Sequence, residues 1–160
     1  MQTFVVYTDA STDAGKGQKK HGYGVCILQP DKNAHIFSGW FQKGSSSNYA
    51  EIYAILRALT ILPDHAIVLI RTDSQAAIQH LTKATNSDKF LPIKELVWEQ
   101  MDRFTEVKFS HIKGHQGVDG DPYQNLVDRI SHRARVGGGT IDTTIYRYSE
   151  EIEKFGMKKP

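Results

Sequence analysis

The chain has 160 residues, of which 39% are hydrophobic and 24% charged, and a formal net charge of +2. This length corresponds to one ordinary domain, whose core is large enough to fold without a disulfide or a structural metal. No apolar run reaches the ~20 residues that a membrane helix needs, so we expect no membrane association. The slightly basic balance permits a nucleic-acid partner but does not by itself indicate one.

The N-terminal residues and the cysteine content predict where the protein works. Met1 to Tyr7 has no basic segment and no cleavage site, and we expect no signal peptide. The single cysteine, Cys26, excludes an internal disulfide and is typical of a reducing compartment. Because Cys26 lies in an apolar run, we interpret it as a buried, inert thiol. We therefore expect a cytoplasmic protein, and a monomer.

Three runs of β-branched and aromatic residues predict strands in the first quarter of the chain. They are Thr3 to Ala10, Gly22 to Leu28 and Ala34 to Phe41. Short polar connections between them indicate an antiparallel meander.

After the meander, strands and helices alternate, as judged from the spacing of the apolar residues. The predicted elements are a helix that begins near Asn48 and ends before Pro63, a strand from Ala66 to Thr72, helices from Ser74 to Lys83 and from Pro92 to Phe104, a strand from Glu106 to Ile112, and a helix from Pro122 to Val136. This order predicts an α/β fold with a mixed sheet and helices packed on its faces. We assign residues 1–136 to one catalytic domain and residues 137–160 to a C-terminal extension, which forms a strand and a short helix or is partly disordered.

Four acidic residues are placed so that they can converge. Asp9 and Asp73 end the first and fourth strands, and sites in open α/β sheets gather at the carboxyl ends of strands. Glu51 falls in the first turn of the predicted helix after the meander, and Asp128 falls in the last helix. Converging carboxylates repel one another unless cations are present, and clustered oxygens suit Mg²⁺ or Mn²⁺. Two such ions about 4 Å apart can clamp an in-line phosphoryl displacement.

Each acid also has an ordinary structural interpretation. Asp73, followed by Ser74, resembles a helix cap, and Glu51 near a helix start is explained by the helix dipole. From the residues alone, both interpretations stay open.

Six segments around these acids, taken in order, resemble the type 1 ribonuclease H family. The segments are Tyr7-Thr8-Asp9-Ala10-Ser11, Gly22-Tyr23-Gly24-Val25, Ser46-Ser47-Asn48-Tyr49-Ala50-Glu51, Thr72-Asp73-Ser74-Gln75, His111-Ile112-Lys113-Gly114-His115-Gln116-Gly117, and Asp128 on the final helix. The resemblance covers about residues 3–136. It implies a ribonuclease H-like fold whose five-stranded mixed sheet has the order 3-2-1-4-5, with strand 2 antiparallel and helices on both faces.

The resemblance also implies an activity. The protein would be an endoribonuclease that hydrolyses the RNA strand of RNA–DNA hybrids with two Mg²⁺ ions, for which Mn²⁺ substitutes, and leaves 5′-phosphate and 3′-hydroxyl ends. Asp9 would bridge both ions, Asp128 would join it at the ion that activates water, and Glu51 and Asp73 would hold the other ion. His115 would assist proton transfer or product release.

Four further residues match family positions that contact the hybrid. Ser11, Asn48 and Gln75 would touch the hybrid near the cut, and Ser46 would lie in the pocket for a phosphate of the DNA strand. Their alternative interpretation is as turn and cap residues.

The chain departs from the family pattern in three places. Gln124 stands where the family usually has Asn, with Asn125 one residue late, and the Gly117 to Asn125 loop looks longer than usual. The basic, Trp-containing substrate handle that some members insert after the second helix is absent from Lys83 to Lys94, which predicts modest hybrid affinity. The segment after the glycines has balanced charge, so we interpret it as a solvated extension rather than as a replacement handle.

Three other functions compete with this one. They are a nuclease of the same fold that acts on DNA junctions or ends, a catalytically inactive module that binds hybrids, and a small-molecule α/β enzyme. The last would be expected to carry a Gly-rich dinucleotide motif, which the sequence lacks.

Overall fold

The computed structural model describes residues 1–15, 19–43, 45–83, 87–114 and 120–146. These residues form four helices and one six-stranded sheet. The elements are β1 (Thr3–Thr12), β2 (Lys19–Leu28), β3 (Asn33–Lys43), α1 (Ser47–Thr60), β4 (Ile67–Thr72), α2 (Gln75–Leu81), α3 (Leu91–Met101), β5 (Glu106–His111), α4 (Pro122–Gly137) and β6 (Ile141–Tyr146).

The strands of the sheet lie in the order β5-β4-β1-β2-β3-β6. β1, β4 and β5 are parallel, whereas β2 is antiparallel to both of its neighbours. The predicted order 3-2-1-4-5 is therefore confirmed, but the expected count of five strands was one too low. The sixth strand comes from the C-terminal extension: β6 pairs with β3 in antiparallel register.

The sequence signal for β6 is weak because its only aliphatic residues are Ile141 and Ile145. Ile141 and Ile145 pack against the core, while the polar residues between them are exposed. Between β3 and β6, His35 Nε2 lies 2.7 Å from Asp142 Oδ1. Polar residues can form a strand when their backbone completes the edge of an existing sheet.

The helices divide between the two faces of the sheet. α1, α2 and α3 cover one face, where the larger apolar cluster includes Val6, Val25 and Ile55. α4 covers the other face and packs Val127 and Ile130 against Cys26. Cys26 is fully buried and unpaired, as expected for an inert thiol. Among the described residues, no helix is long and apolar enough to cross a membrane.

β2 and β3 are longer than their apolar runs predicted. Their ladder continues to the pairing of Lys19 with Lys43, beyond the predicted limits at Gly22 and Phe41. The backbone hydrogen bonds of a hairpin do not depend on side-chain polarity, so a hydrophobic pattern underestimates such ends. The helix limits agree with the predictions to within three residues.

Candidate active site

The register of β1 and β4 brings two of the predicted acids together. The strands are parallel, with Thr8 opposite Thr72. Asp9, which lies within β1 rather than at its end, and Asp73, which directly follows β4, are therefore at the same level of the sheet. This juxtaposition at the carboxyl edge of the sheet is what the sequence predicted.

The ordinary interpretation of Asp73 as a helix cap is wrong. Ser74 is the N-cap of α2, and its hydroxyl accepts a hydrogen bond of 3.1 Å from the backbone N–H of Ala77. The Asp73 side chain instead belongs to a pocket that Asp9, Glu51 and Asp128 also line. Its place is therefore not explained by helix capping.

The placement of Glu51 in the first helical turn was also wrong. Ser46 is the N-cap of α1, the helix begins at Ser47, and its first turn contains no acid. Glu51 is thus the fifth helical residue, beyond the reach of the strongest dipole effect. It lies one turn into α1, on the side that meets β1.

Asp9, Glu51 and Asp73 form a tight carboxylate cluster. Each offers an oxygen within 4.8 Å of the oxygens that the other two offer. Asp9 is only 4% exposed, and Glu51 and Asp73 are half-buried. One oxygen of Asp9 accepts a 2.9 Å hydrogen bond from the backbone N–H of Ala10.

The electrostatics of the cluster oppose the charged state of its members. Burial raises the pKa of Asp9 well above its ordinary value, and the charges of Glu51, Asp73 and Asp128 raise it further. Burial likewise raises the pKa of Glu51, followed by the charge of Asp73. The three groups repel one another when ionised, and a cation between them would remove that cost.

A divalent cation fits this donor set. Carboxylate oxygens are the ligands that Mg²⁺ and Mn²⁺ prefer. Glu51 Oε1 is buried and has no hydrogen-bond partner among the described residues, which leaves that oxygen free to bind a cation. The cluster can therefore bind a divalent metal.

Asp128 joins the pocket because α4 approaches the sheet closely. α4 lies on β2 at Gly22 and Gly24, where a Cβ would collide with the helix. At Gly24 it would stand 2.6 Å from Ile130 Cγ1 and 2.7 Å from the carbonyl oxygen of Val127. The glycines of this motif thus allow the helix to bring Asp128 towards Asp9, its neighbour across the pocket.

The start of α4 is fixed by a partly buried polar network. Asp121 caps the helix, and its Oδ1 accepts hydrogen bonds from the backbone N–H groups of Tyr123 and Gln124. Its Oδ2 accepts a 2.9 Å hydrogen bond from the hydroxyl of Tyr7, which in turn accepts one of 2.7 Å from Arg71. Burial raises the pKa of Tyr7, so the hydroxyl stays protonated and donates.

Of the four residues predicted to contact substrate, one is among the residues that line this pocket. Ser11 lines it. Asn48 is half-buried in the first turn of α1, and Gln75 is exposed at the start of α2. Ser46 Oγ makes no capping bond and is a buried atom without a hydrogen-bond partner among the described residues. His115 lies outside the described residues.

Two residues near the pocket were missed from the sequence. His132 lines the pocket beside Asp128, and Arg135 bonds to His132 and to Ser11. The spacing of four residues between Asp128 and His132 puts both on one helical face and was the signal available. Gln124, the departure from the family pattern, is 2% exposed.

A family model, RNase H, matches residues 1–135 of this chain. The chain belongs to the RNase H family. The match includes all four acids of the pocket, and it ends before β6. Membership makes the protein an enzyme of the RNase H type, a hydrolase.

Curated relatives and solved structures agree with the RNase H assignment. A ribonuclease H from Chromobacterium violaceum is 28% identical over 141 residues, which cover 80% of this chain and 91% of the relative. The structure of LC9-RNase H1, a type 1 RNase H with the type 2 active-site motif, has a TM-score of 0.72 at 16% identity and covers 98% of this chain and 86% of its own. LC11-RNase H1, solved in complex with an RNA/DNA hybrid, has a TM-score of 0.60 at 23% identity. The match covers 82% of this chain and 98% of the LC11-RNase H1 chain. These structural similarities confirm the fold.

Proposed function

We propose that this RNase H is an endoribonuclease that hydrolyses the RNA strand of RNA–DNA hybrids. The observation that carries the proposal is the cluster of Asp9, Glu51 and Asp73, with oxygens within 4.8 Å of one another in a chain of the RNase H family. The fold is also that of LC11-RNase H1, which was solved with an RNA/DNA hybrid.

The proposed cofactor is a pair of Mg²⁺ ions, for which Mn²⁺ substitutes. Asp9, Glu51 and Asp73 would hold them together with Asp128, which lines the same pocket of about 530 Å³. When bound, the ions supply charge neutralisation and a water nucleophile for an in-line displacement that leaves 5′-phosphate and 3′-hydroxyl ends.

The side chains around the cluster would recognise and orient the hybrid. Ser11, Asn48 and Gln75 can donate to and accept from the 2′-hydroxyls by which RNA differs from DNA. The unpartnered hydroxyl of Ser46, at the N-terminus of α1, suits a phosphate of the DNA strand. We retain the assistance of His115 in proton transfer or product release as a proposal.

Two accompanying proposals concern the state of the protein. One reduced, buried cysteine suits the cytoplasm, and we propose a monomer. Size-exclusion chromatography with light scattering tests the second point, and a dimer mass would contradict it.

The activity is tested with three matched duplexes in Mg²⁺: a strand-labelled hybrid, double-stranded RNA and double-stranded DNA. We expect cleavage of the RNA strand of the hybrid alone. Preferential cutting of the DNA duplex would favour the rival DNA nuclease, and hybrid binding without cutting in Mg²⁺ or Mn²⁺ would favour the binding module.

A further inference from the structure

The residues that line the active-site pocket include few donors for an anionic substrate. Four of the seven are acids, and Ala10 contributes no polar side chain. Among the described lining residues, the side-chain donors are the hydroxyl of Ser11 and the imidazole of His132. A phosphodiester has only acceptor oxygens, so among the described side chains that line the pocket these two can donate a hydrogen bond to it.

One guanidinium organises both donors. Arg135 Nε donates to Ser11 Oγ at 2.7 Å, and an amino group of Arg135 donates to His132 Nδ1 at 3.1 Å. The other amino group pairs with Asp13 Oδ1 at 2.8 Å, which fixes the orientation of the guanidinium. Arg135 is itself only partly exposed, with 20% of its side chain accessible.

The polarity of these bonds sets where the protons of Ser11 and His132 point. Arginine has donors only, so His132 Nδ1 must accept, and the neutral ring carries its proton on Nε2. Ser11 Oγ also accepts from Arg135, so its own proton is available to a second partner. His132 Nε2 makes no hydrogen bond within the part of the chain that the structure describes. Arg135 therefore leaves both donors available in the pocket.

We propose that His132 contacts the substrate: its Nε2–H donates to a non-bridging oxygen of an RNA-strand phosphate beside the cut. Arg135 is a positioning residue, which sets the tautomer of His132 and the hydroxyl direction of Ser11. The inference rests on the proposed hybrid cleavage. It adds a substrate contact from α4, one helical turn beyond Asp128, to the residues that the sequence indicated.

The test compares His132→Phe, which removes the donor, with His132→Gln, which keeps an N–H near Nε2. Loss of one hydrogen bond to a charged group predicts a fall in kcat/KM of about 10- to 100-fold for the Phe variant on a hybrid in Mg²⁺. We expect the Gln variant to stay within about threefold of the unmodified protein, because its amide retains the donor. His35→Phe is the matched control, since His35 lies on β3 and does not line the pocket.

A second measurement separates contact from mere structure. Single phosphorothioates replace the RNA phosphates one at a time, and the unmodified protein should slow at the phosphate that His132 contacts. In His132→Phe that position should lose its effect while the others keep theirs. Arg135→Ala should lower kcat/KM less in the His132→Phe background than in the unmodified protein, because Arg135 and His132 act through the same substrate contact.

The outcomes distinguish this inference from the proposed function. If the unmodified protein does not cut hybrid, the function itself fails. If it cuts hybrid but His132→Phe has an unchanged kcat/KM, or every phosphorothioate keeps its effect in that variant, the contact is overturned and the function stands. Circular dichroism checks that each variant is folded. If the larger phenyl ring prevents folding, His132→Ala replaces His132→Phe.

Discussion

Gly114 lies directly against the carboxylate of Asp73. A Cβ at Gly114 would collide with Asp73 Oδ2 and crowd its Cγ and Cβ. Gly114 comes three residues after the end of β5, and Asp73 directly follows β4, so neighbouring parallel strands deliver the two residues to one place. The glycine at position 114 is thus required by the space that the Asp73 carboxylate occupies.

Gly114→Ala should impair the metal site more than the fold. Since the added methyl displaces Asp73, we expect the Mg²⁺ concentration for half-maximal cleavage to rise about tenfold, the equivalent of one weakened ligand contact. Gly15→Ala is the control, because nothing lies within 4 Å of a Cβ built there. Equal Mg²⁺ requirements for the two variants would contradict this role.

Asp9→Asn should stabilise the fold when divalent ions are removed. The pKa of Asp9 is raised in the folded state, so folding binds protons, and this group makes the protein less stable as pH rises past its ordinary value. Removing the charge should therefore raise the Tm at neutral pH in a chelator, by about 2–4 °C for each kcal/mol relieved.

Saturating Mg²⁺ provides the second arm of that measurement. Mg²⁺ should raise the Tm of the unmodified protein, because ion binding stabilises the folded state. The difference in Tm between Asp9→Asn and the unmodified protein should therefore become smaller. A lower Tm for Asp9→Asn in the chelator would show that the carboxylate does not oppose folding.

Much of this site could be predicted from the sequence because its residues follow regular elements. Asp9 and Asp73 directly follow apolar runs, and the parallel pairing of those runs determines that they meet. The sequence could not supply the contribution of Arg135, because its partners Ser11 and Asp13 are more than 120 residues away along the chain. Such contacts depend on how α4 packs across the sheet.

The sixth strand shows a different limit of sequence patterns. β6 is a mostly polar segment that becomes a strand by pairing with the edge of β3. The spacing of apolar residues reveals strands that bury one face, and β6 has no fully buried residue. The ordinary interpretations of Asp73 and Glu51 failed for a related reason, since capping depends on where a helix starts to within one residue.

His21 should make stability fall in mild acid. It is fully buried, its Nε2 donates to the carbonyl of Lys43 at 3.2 Å, and its Nδ1 accepts from the hydroxyl of Thr12 at 2.8 Å. Burial lowers its pKa, so the unfolded chain binds the proton first as pH falls below about 6.5. Stability from this group is complete above that pH and is lost as the pH falls through the folded-state pKa.

The measurement is the free energy of unfolding by urea between neutral pH and mild acid. His21→Phe should be less stable at neutral pH, because it leaves the Lys43 carbonyl and Thr12 hydroxyl without this partner. Its stability should nevertheless depend less on pH than that of the unmodified protein. If the free energy of unfolding changes with pH in the same way in both proteins, His21 is not the source of the acid sensitivity.

Hybrid binding should depend only modestly on salt. Of the three cations between Lys83 and Lys94, Lys94 is 2% exposed and donates to the Ser87 carbonyl at 2.7 Å, and Lys83 lies 4.5 Å from the Trp98 ring centroid. Each missing phosphate contact lowers the slope of log K against log salt by about 0.7–0.9.

A salt titration of binding checks this against an RNase H that carries the basic handle. Lys94→Met should leave the slope unchanged, since a buried amine contacts no phosphate. An equally steep slope for the two enzymes would contradict the absence of a handle.

The most direct test of the central claim is Mg²⁺-dependent cleavage of a strand-labelled hybrid by the unmodified protein, by Asp9→Asn and by Asp88→Asn. Asp88 is an exposed acid that does not line the pocket, so it controls for loss of charge. We expect the unmodified protein and Asp88→Asn to cut the RNA strand to 5′-phosphate ends, and Asp9→Asn to bind hybrid without cutting it. Cleavage by Asp9→Asn at the unmodified rate, or equal cleavage in a chelator, would contradict a metal-dependent nuclease centre built on Asp9.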